Sequence, residues 1–172
     1  MRSIFAALSI ATALFAGDLY ANTEDLDCVA EKPVTGMLLT ERLSDFVSRE
    51  KEFTFFETGR LVDEPDISLT AEAGGCFHYG VELTFTFDDE EPIENKAHYV
   101  EKVRNLLEKT PFNDESVLWK PDFLQALDKN ENNAEALDTG EYDLQPGYST
   151  VYLTTAREGD RVSVTILLDI AL

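Results

Sequence analysis

Residues 77–87 alternate strictly between two kinds of side chain, and this pattern constrains the fold more than any other feature of the sequence. The apolar positions are all odd-numbered: Phe77, Tyr79, Val81, Leu83, Phe85 and Phe87. The residues between them are His78, Gly80, Glu82, Thr84 and Thr86. Because successive side chains of a strand point to opposite faces of a sheet, the pattern predicts a strand with one buried face.

A second strand precedes this one and predicts a hairpin. Its apolar residues are again odd-numbered: Ile67, Leu69, Ala71 and Ala73. Side chains paired across antiparallel strands share a face, so the numbers of paired residues must add up to an even sum. A three-residue loop of Gly74, Gly75 and Cys76 meets this condition, because it pairs Ala73 with Phe77.

The C-terminal residues predict another hairpin. Val151 and Leu153 are odd-numbered, whereas the apolar residues that follow are even-numbered: Val162, Val164, Ile166, Leu168 and Ile170. For the apolar faces of these two strands to align, the numbers of paired residues must add up to an odd sum. A two-residue turn of Gly159 and Asp160 meets this condition. The predicted pairs are Glu158 with Arg161, Leu153 with Ile166, and Val151 with Leu168.

Helical spacing marks three other segments. Residues 35–49 predict a helix that Thr35 caps, with an apolar face of Leu39, Leu43, Phe46 and Val47. Residues 92–109 predict an amphipathic helix with Pro92 in its first turn. Pro121 favours the start of another short helix.

The remaining segments complete the predicted fold. Residues 53–56 are aromatic and β-branched and predict a strand that ends near Gly59. Residues 128–143 are polar and acidic and predict a long loop. The predicted class is α+β, with an antiparallel sheet of about four to five strands and two to three helices packed on one face.

The N-terminus has the pattern of a signal peptide. Residues 1–3 include Arg2, and residues 4–16 form an apolar run that is too short for a bilayer span of about 20 residues. We expect residues 1–21 to be cleaved and residues 22–172 to form a single acidic domain. The protein is then periplasmic or secreted and is not inserted in a membrane after cleavage. Cleavage after Ala16 and an uncleaved N-terminal anchor are the alternatives.

The two cysteines, Cys28 and Cys76, predict one disulfide bond in an exported chain. The hairpin pattern puts Cys76 at the tip of the predicted loop, where the segment around Cys28 can reach it. An intermolecular bridge or a reactive thiol is the alternative.

Acidity limits the classes of partner. The formal net charge is −20, from 34 acidic and 14 basic residues. This balance argues against a nucleic-acid binder, because phosphates are neutralised by basic side chains, and against docking on anionic lipid. A strong negative field instead steers association with a cationic partner. The alternative is that the acidity serves only solubility.

Two acidic segments lie outside the predicted strands and helix faces, and we expect them to contact a basic protein. The predicted partner-binding residues are Asp88, Asp89, Glu90 and Glu91 in the first segment, and Glu131, Glu135 and Asp138 in the second.

Calcium is a second interpretation of both segments, because Ca²⁺ prefers oxygen ligands. The acids at residues 88–94, however, lie at the N-terminus of the helix predicted for residues 92–109, where the helix dipole favours them. Residues 128–139 place oxygen ligands like the start of an EF-hand loop. Glu135 nevertheless stands where that motif has an apolar residue, and Thr139 where it has a bidentate Glu. We predict no metal site and no cofactor.

Catalysis has little support in the sequence. His78 and His98 would have to converge beside an acid, and the motifs of serine hydrolases, phosphate-binding loops and zinc proteases do not occur. We therefore predict a protein that is not an enzyme: an exported, acidic inhibitor or immunity-type module that binds a basic partner. The alternatives are an accessory or structural protein of the cell envelope, and a hydrolase that uses surface carboxylates.

The predicted disulfide is tested by mass spectrometry of a peptide digest prepared without reducing agent. We expect a peptide in which Cys28 is joined to Cys76. The bridge would close a loop of about 49 residues and stabilise the fold by roughly 4 kcal/mol through chain entropy. Two unmodified thiols would contradict the prediction.

Overall fold

The structure of the protein is a computed structural model that describes residues 36–51, 54–75, 78–114, 116, 119–130, 132–145 and 147–171. Cys28, Cys76 and the predicted signal peptide lie outside these residues. The described chain forms seven strands, three α-helices and a short 3₁₀ helix at Thr40–Arg42. In chain order the strands and α-helices are β1 (Leu43–Lys51), β2 (Thr54–Leu61), β3 (Glu64–Gly74), β4 (His78–Asp88), α1 (Lys96–Lys109), α2 (Trp119–Lys129), α3 (Ala134–Thr139), β5 (Glu141–Gln145), β6 (Ser149–Glu158) and β7 (Arg161–Ala171).

One antiparallel sheet contains these seven strands in the order β1-β2-β3-β4-β7-β6-β5. The predicted α+β class is confirmed. The predicted number of four to five strands is too small, because β1 and β5 form from segments whose sequence pattern indicates a helix and a loop.

The two faces of the sheet differ as the alternation of β4 predicts. The odd-numbered side chains of β4 are buried on the same face as the even-numbered side chains of β7. Helix α1 packs over this face and buries Tyr99, Val100, Val103, Leu106 and Leu107. On the other face most side chains are polar and half-buried, and the hydroxyls of Thr84 and Thr165 lie 2.8 Å apart.

The C-terminal hairpin has the predicted register. Glu158 lies opposite Arg161, Leu153 opposite Ile166, and Val151 opposite Leu168. Gly159 adopts the positive φ of 62° that the tight turn requires. In this hairpin the turn residues and the hydrophobic pattern specify the same pairing.

The register of β3 with β4 is predicted only in part. The paired numbers add up to an even sum, as expected, but Ala73 lies opposite Val81 rather than Phe77. The predicted three-residue loop is therefore wrong. The reason is that β4 extends past the end of β3. Its first residues, His78 and Tyr79, pair with β7 only.

The predicted helix at residues 35–49 is wrong over its described part. After the short 3₁₀ helix the chain forms β1, which pairs with β2 at the edge of the sheet. The register shifts between Ser44 and Val47, and Asp45 has a positive φ of 54°. This bulge changes which residues share a face, so the apolar spacing imitates that of a helix. Val47 is consequently 43% exposed.

The predicted loop at residues 128–143 is also wrong, because it contains α3 and β5. The side chain of Asn133 caps α3 by accepting the backbone N–H groups of Glu135 and Ala136. Gly140 ends the helix in the left-handed conformation. Tyr142 is fully buried in β5, opposite Val151 of β6. One buried aromatic residue, together with the partly buried Leu144, thus anchors a strand whose other residues are polar.

Helix α1 begins at Lys96 rather than in the turn of Pro92. Asn95 caps it, and its side chain accepts the backbone N–H of His98 at 3.3 Å. Pro92 lies in the preceding turn, where its carbonyl oxygen accepts the N–H of Asn95. Helix α2 has Pro121 in its first turn, as the sequence predicts.

Two glycines provide a matched test of the packing between α3 and β6. Gly140 and Gly147 have φ values of 75° and 76°. A Cβ atom at residue 140 would collide with the carbonyl oxygen of Leu153, whereas nothing lies within 4 Å of a Cβ atom at residue 147. We expect Gly147→Ala to cost about 1–2 kcal/mol through φ alone. In urea denaturation, Gly140→Ala should lower the free energy of unfolding by about 1–3 kcal/mol more than Gly147→Ala does. Equal losses would contradict the close packing of residue 140 against β6.

Candidate functional site

The first acidic segment, residues 88–94, connects β4 to α1 and is called the acidic loop below. It lies beside the β6–β7 turn, because the backbone N–H of Asp89 donates to the carbonyl oxygen of Asp160 at 3.4 Å. The pairing of β4 with β7, in which Asp88 lies opposite Arg161, brings the two connections together.

The side chain of Asp89 points toward the protein interior and is 11% exposed. Its Oδ1 accepts the N–H of Glu91 at 2.9 Å, and its Oδ2 lies 3.0 Å from Nε2 of His98. Lys102 Nζ is 3.9 Å from the same oxygen. Burial by itself raises the pKa of Asp89, but the Glu91 N–H, His98 and Lys102 outweigh burial and hold this pKa below its ordinary value.

Arg157 of β6 fixes the backbone of the acidic loop. Its Nη1 donates to the carbonyl oxygen of Asp89 at 2.6 Å, and its Nη2 donates to that of Glu91 at 2.5 Å. The hydroxyl of Tyr99 donates to the same Glu91 oxygen at 2.6 Å. Burial, followed by the charge of Asp89, raises the pKa of Tyr99, so its hydroxyl remains a donor at neutral pH.

The end of the acidic loop is fixed as well. Asn95 Nδ2 donates to the Glu91 carboxylate at 2.5 Å. Lys96 Nζ donates at 2.8 Å to the hydroxyl of Thr155, which itself donates to the carbonyl oxygen of Ile93. The first turn of α1 contains no acidic residue. The acids of this loop thus lie immediately before the N-cap residue Asn95 and not within the first turn of α1.

The other predicted residues of the acidic loop differ from Asp89 in orientation. Asp88 and Glu90 are exposed, and Glu94 is exposed beside them, whereas Glu91 is half-buried. Asp88 lies 3.7 Å from Arg161 with its side chain 75% exposed. An open depression of about 640 Å³ at this place is lined by Asp88, Asp89, Glu90, Arg157 and Asp160.

The second predicted set falls mainly on α3. Glu135 and Asp138 are both exposed on this helix, and Glu131 lies outside the described residues. Leu137 of α3 faces α1 across a groove that Ala97 and Glu101 also line.

The two segments border opposite flanks of α1. His98 and Lys102, four residues apart, form the flank that meets the acidic loop, whereas Ala97 and Glu101 form the flank near α3. Glu101 is exposed between the two segments, and sequence reasoning missed it because it is isolated among the basic residues of α1. The outward carboxylates are called the acidic surface below: Asp88, Glu90, Glu94, Glu101, Glu135 and Asp138.

Two residues of the EF-hand-like pattern make contacts within the protein. Asp128 is in α2 and pairs with Arg104 at 2.9 Å. Asn130 is buried and donates to the carbonyl oxygen of Ala126 at 2.9 Å. Throughout the part of the chain that the structure describes, no group of three or more His, Cys, Asp or Glu side chains is placed to hold a metal ion.

The backbone places the two histidines, His78 in β4 and His98 in α1, far apart. His78 begins β4, and His98 contacts Asp89, which follows the last residue of β4. Ten residue steps of a strand span roughly 33 Å. The backbone of His78 is therefore remote from the Asp89–His98 pair.

Comparison of the chain with protein-family models, with curated protein sequences and with solved structures finds no match. Among the described residues, no helix is both long and apolar enough to cross a membrane.

The inward position of Asp89 predicts a pH-dependent contribution to stability. Its pKa is lowered in the folded protein, so its carboxylate stabilises the fold above an unfolded pKa of about 3.9, and this stability is lost as the pH falls through the folded pKa. We expect Asp89→Asn to lower the free energy of unfolding by about 1–2 kcal/mol at neutral pH.

The control for this variant is Asp88→Asn, which changes the adjacent, exposed carboxylate. It should cost at most about 0.5 kcal/mol, as is typical of an exposed ion pair. Chemical denaturation of Asp89→Asn and the wild type should give converging stabilities as the pH falls toward about 3. A loss that is independent of pH would contradict the role of the Asp89 carboxylate.

Proposed function

We propose that this chain is an acidic binding module whose acidic surface engages a basic protein partner. The observation that carries the proposal is the imbalance of charge on this surface. Glu90, Glu94, Glu101, Glu135 and Asp138 form no ion pair with any described residue. Such carboxylates are available to another molecule.

The neighbouring basic side chains support this proposal, because they contact their own protein. Arg157 binds carbonyl oxygens of the acidic loop, and Arg104 pairs with Asp128. Lys102 lies 4.8 Å above the ring of Phe87 and also approaches Asp89. The field outside the surface is therefore set by the carboxylates, and it adds to that of a chain with a net charge of −20.

The fixed backbone of the acidic loop supports a binding role in a second way. Asp89 and Glu91 are used inside the loop, while Asp88, Glu90 and Glu94 remain outside. A loop that is already ordered loses less conformational entropy on association, and this raises affinity. An exported inhibitor or immunity-type protein that covers a basic site would use such a surface. We propose no catalytic step.

The experiment begins with affinity capture from the envelope fraction of the source organism, and we expect a basic protein. Association rates are then measured for three variants that each remove two charges. Glu90→Gln/Glu94→Gln and Glu135→Gln/Asp138→Asn change the acidic surface. Glu72→Gln/Glu82→Gln is the matched control, because these residues lie opposite each other on the other face of the sheet.

Both acidic-surface variants should associate roughly two- to tenfold more slowly than wild type at low salt, with unchanged melting temperatures, and the control should change much less. Added salt should reduce the differences through screening. Capture of no basic protein, or equal effects of all three variants, would contradict the proposal.

A further inference from the structure

A buried carboxylate holds the first described residues of the chain, Gly36–Leu39, which are called the strap below. Glu57 projects from β2 toward the helix side of the sheet and is 1% exposed. Its Oε2 accepts the backbone N–H of Leu38 at 2.9 Å, and the N–H of Met37 also donates to this carboxylate. Two backbone donors of the strap thus depend on one side chain.

The strap closes one end of the core. Met37 and Leu38 are 0% and 3% exposed. On the side away from Glu57, the strap pairs with the chain that follows α1. Leu39 N–H donates to the carbonyl oxygen of Pro111 at 2.7 Å, and Asn113 N–H donates to that of Met37 at 2.9 Å. The strap therefore lies between β2 and the segment after α1, and Leu39 forms part of a groove of about 390 Å³ there.

No described cation compensates the charge of Glu57. The residues opposite it are Ser48 of β1 and Ala71 of β3. Glu50 is one pair further along on the same face, and it is an acid rather than a cation. From the helix side the strap supplies backbone N–H groups, and Lys109 at the end of α1 forms an ion pair with Glu64.

We propose that Glu57 makes the strap a pH-sensitive latch, which is seated most firmly when this carboxyl group is protonated. Ionisation places a charge in a buried position that only two amide dipoles and no described cation stabilise, so it weakens the seated state. Movement of the strap away from β2 hydrates the charge, at the cost of exposing Met37 and Leu38.

The direction of the response follows from linkage. Burial raises the pKa of Glu57, and the N–H groups of Leu38 and Met37 offset this effect only in part. A group with a higher pKa in the seated state binds its proton more tightly there, so protonation favours seating. The stabilisation is complete below the usual pKa of a glutamate and is lost as the pH rises through the raised pKa. Between these two values the opening equilibrium increases up to about tenfold per pH unit.

Amide hydrogen exchange, followed by nuclear magnetic resonance between about pH 4 and pH 8, tests the latch. After correction for intrinsic exchange rates, the protection of the Met37 and Leu38 amides in the wild-type chain should fall as the pH rises and then level off. In Glu57→Gln it should not depend on pH. Glu82→Gln is the matched control: burial also raises the pKa of Glu82, but this residue lies on the other face of the sheet. In Glu82→Gln, the protection of the strap amides should depend on pH as it does in the wild type.

Wild-type protection that does not change with pH would overturn the proposal, and so would a pH response that persists in Glu57→Gln. If Glu57→Gln fails to fold, the carbon-13 resonance of the Glu57 carboxyl group in the wild-type chain gives a second measurement. A titration midpoint at or below that of an ordinary glutamate would overturn the latch.

Discussion

The pairing of β4 with β7 joins the first four strands to the last three through a continuous register from His78↔Ala171 to Asp88↔Arg161. It aligns the odd-numbered apolar residues of β4 with the even-numbered apolar residues of β7 and so defines the face that the helices cover. The same register brings the end of β4 beside the β6–β7 turn. The position of the acidic loop next to Arg157 is thus a consequence of sheet pairing.

Local patterns in the sequence predict much of this sheet, because each depends on residues that are close in the chain. The turn at Gly159 and Asp160 and the parity of β6 and β7 specify one register, which the structure confirms. The β4–β7 pairing joins segments about 80 residues apart and has no local signal. A bulge at Asp45 interrupts the alternation of β1, so this strand is not recognisable from the sequence. In β5 the single buried ring of Tyr142 is too weak a signal to predict a strand.

The candidate site is predictable in composition but not in orientation. The acids of the loop are visible in the sequence as a run of like charges. That Asp89 turns inward, while Glu90 remains exposed, depends on Arg157, which lies 68 residues away in the chain, and on His98 in the following helix. The burial of Glu57 is hidden in the same way, because the strap that covers it and the strand that carries it are separate in sequence. Folding thus separates carboxylates that make contacts within the protein from carboxylates that remain exposed.

We propose that the acidic surface, rather than the net charge of the whole chain, selects a cationic partner. The most direct measurement is a titration of nitrogen-15-labelled protein with an oligolysine peptide, followed by amide chemical shifts at moderate salt. The expected shifts are largest for the acidic loop, for α3 and around Glu101, and small around Glu72 and Glu82 on the opposite face of the sheet. Shifts of similar size on both faces would contradict the claim and would leave the acidity as a property of the whole molecule.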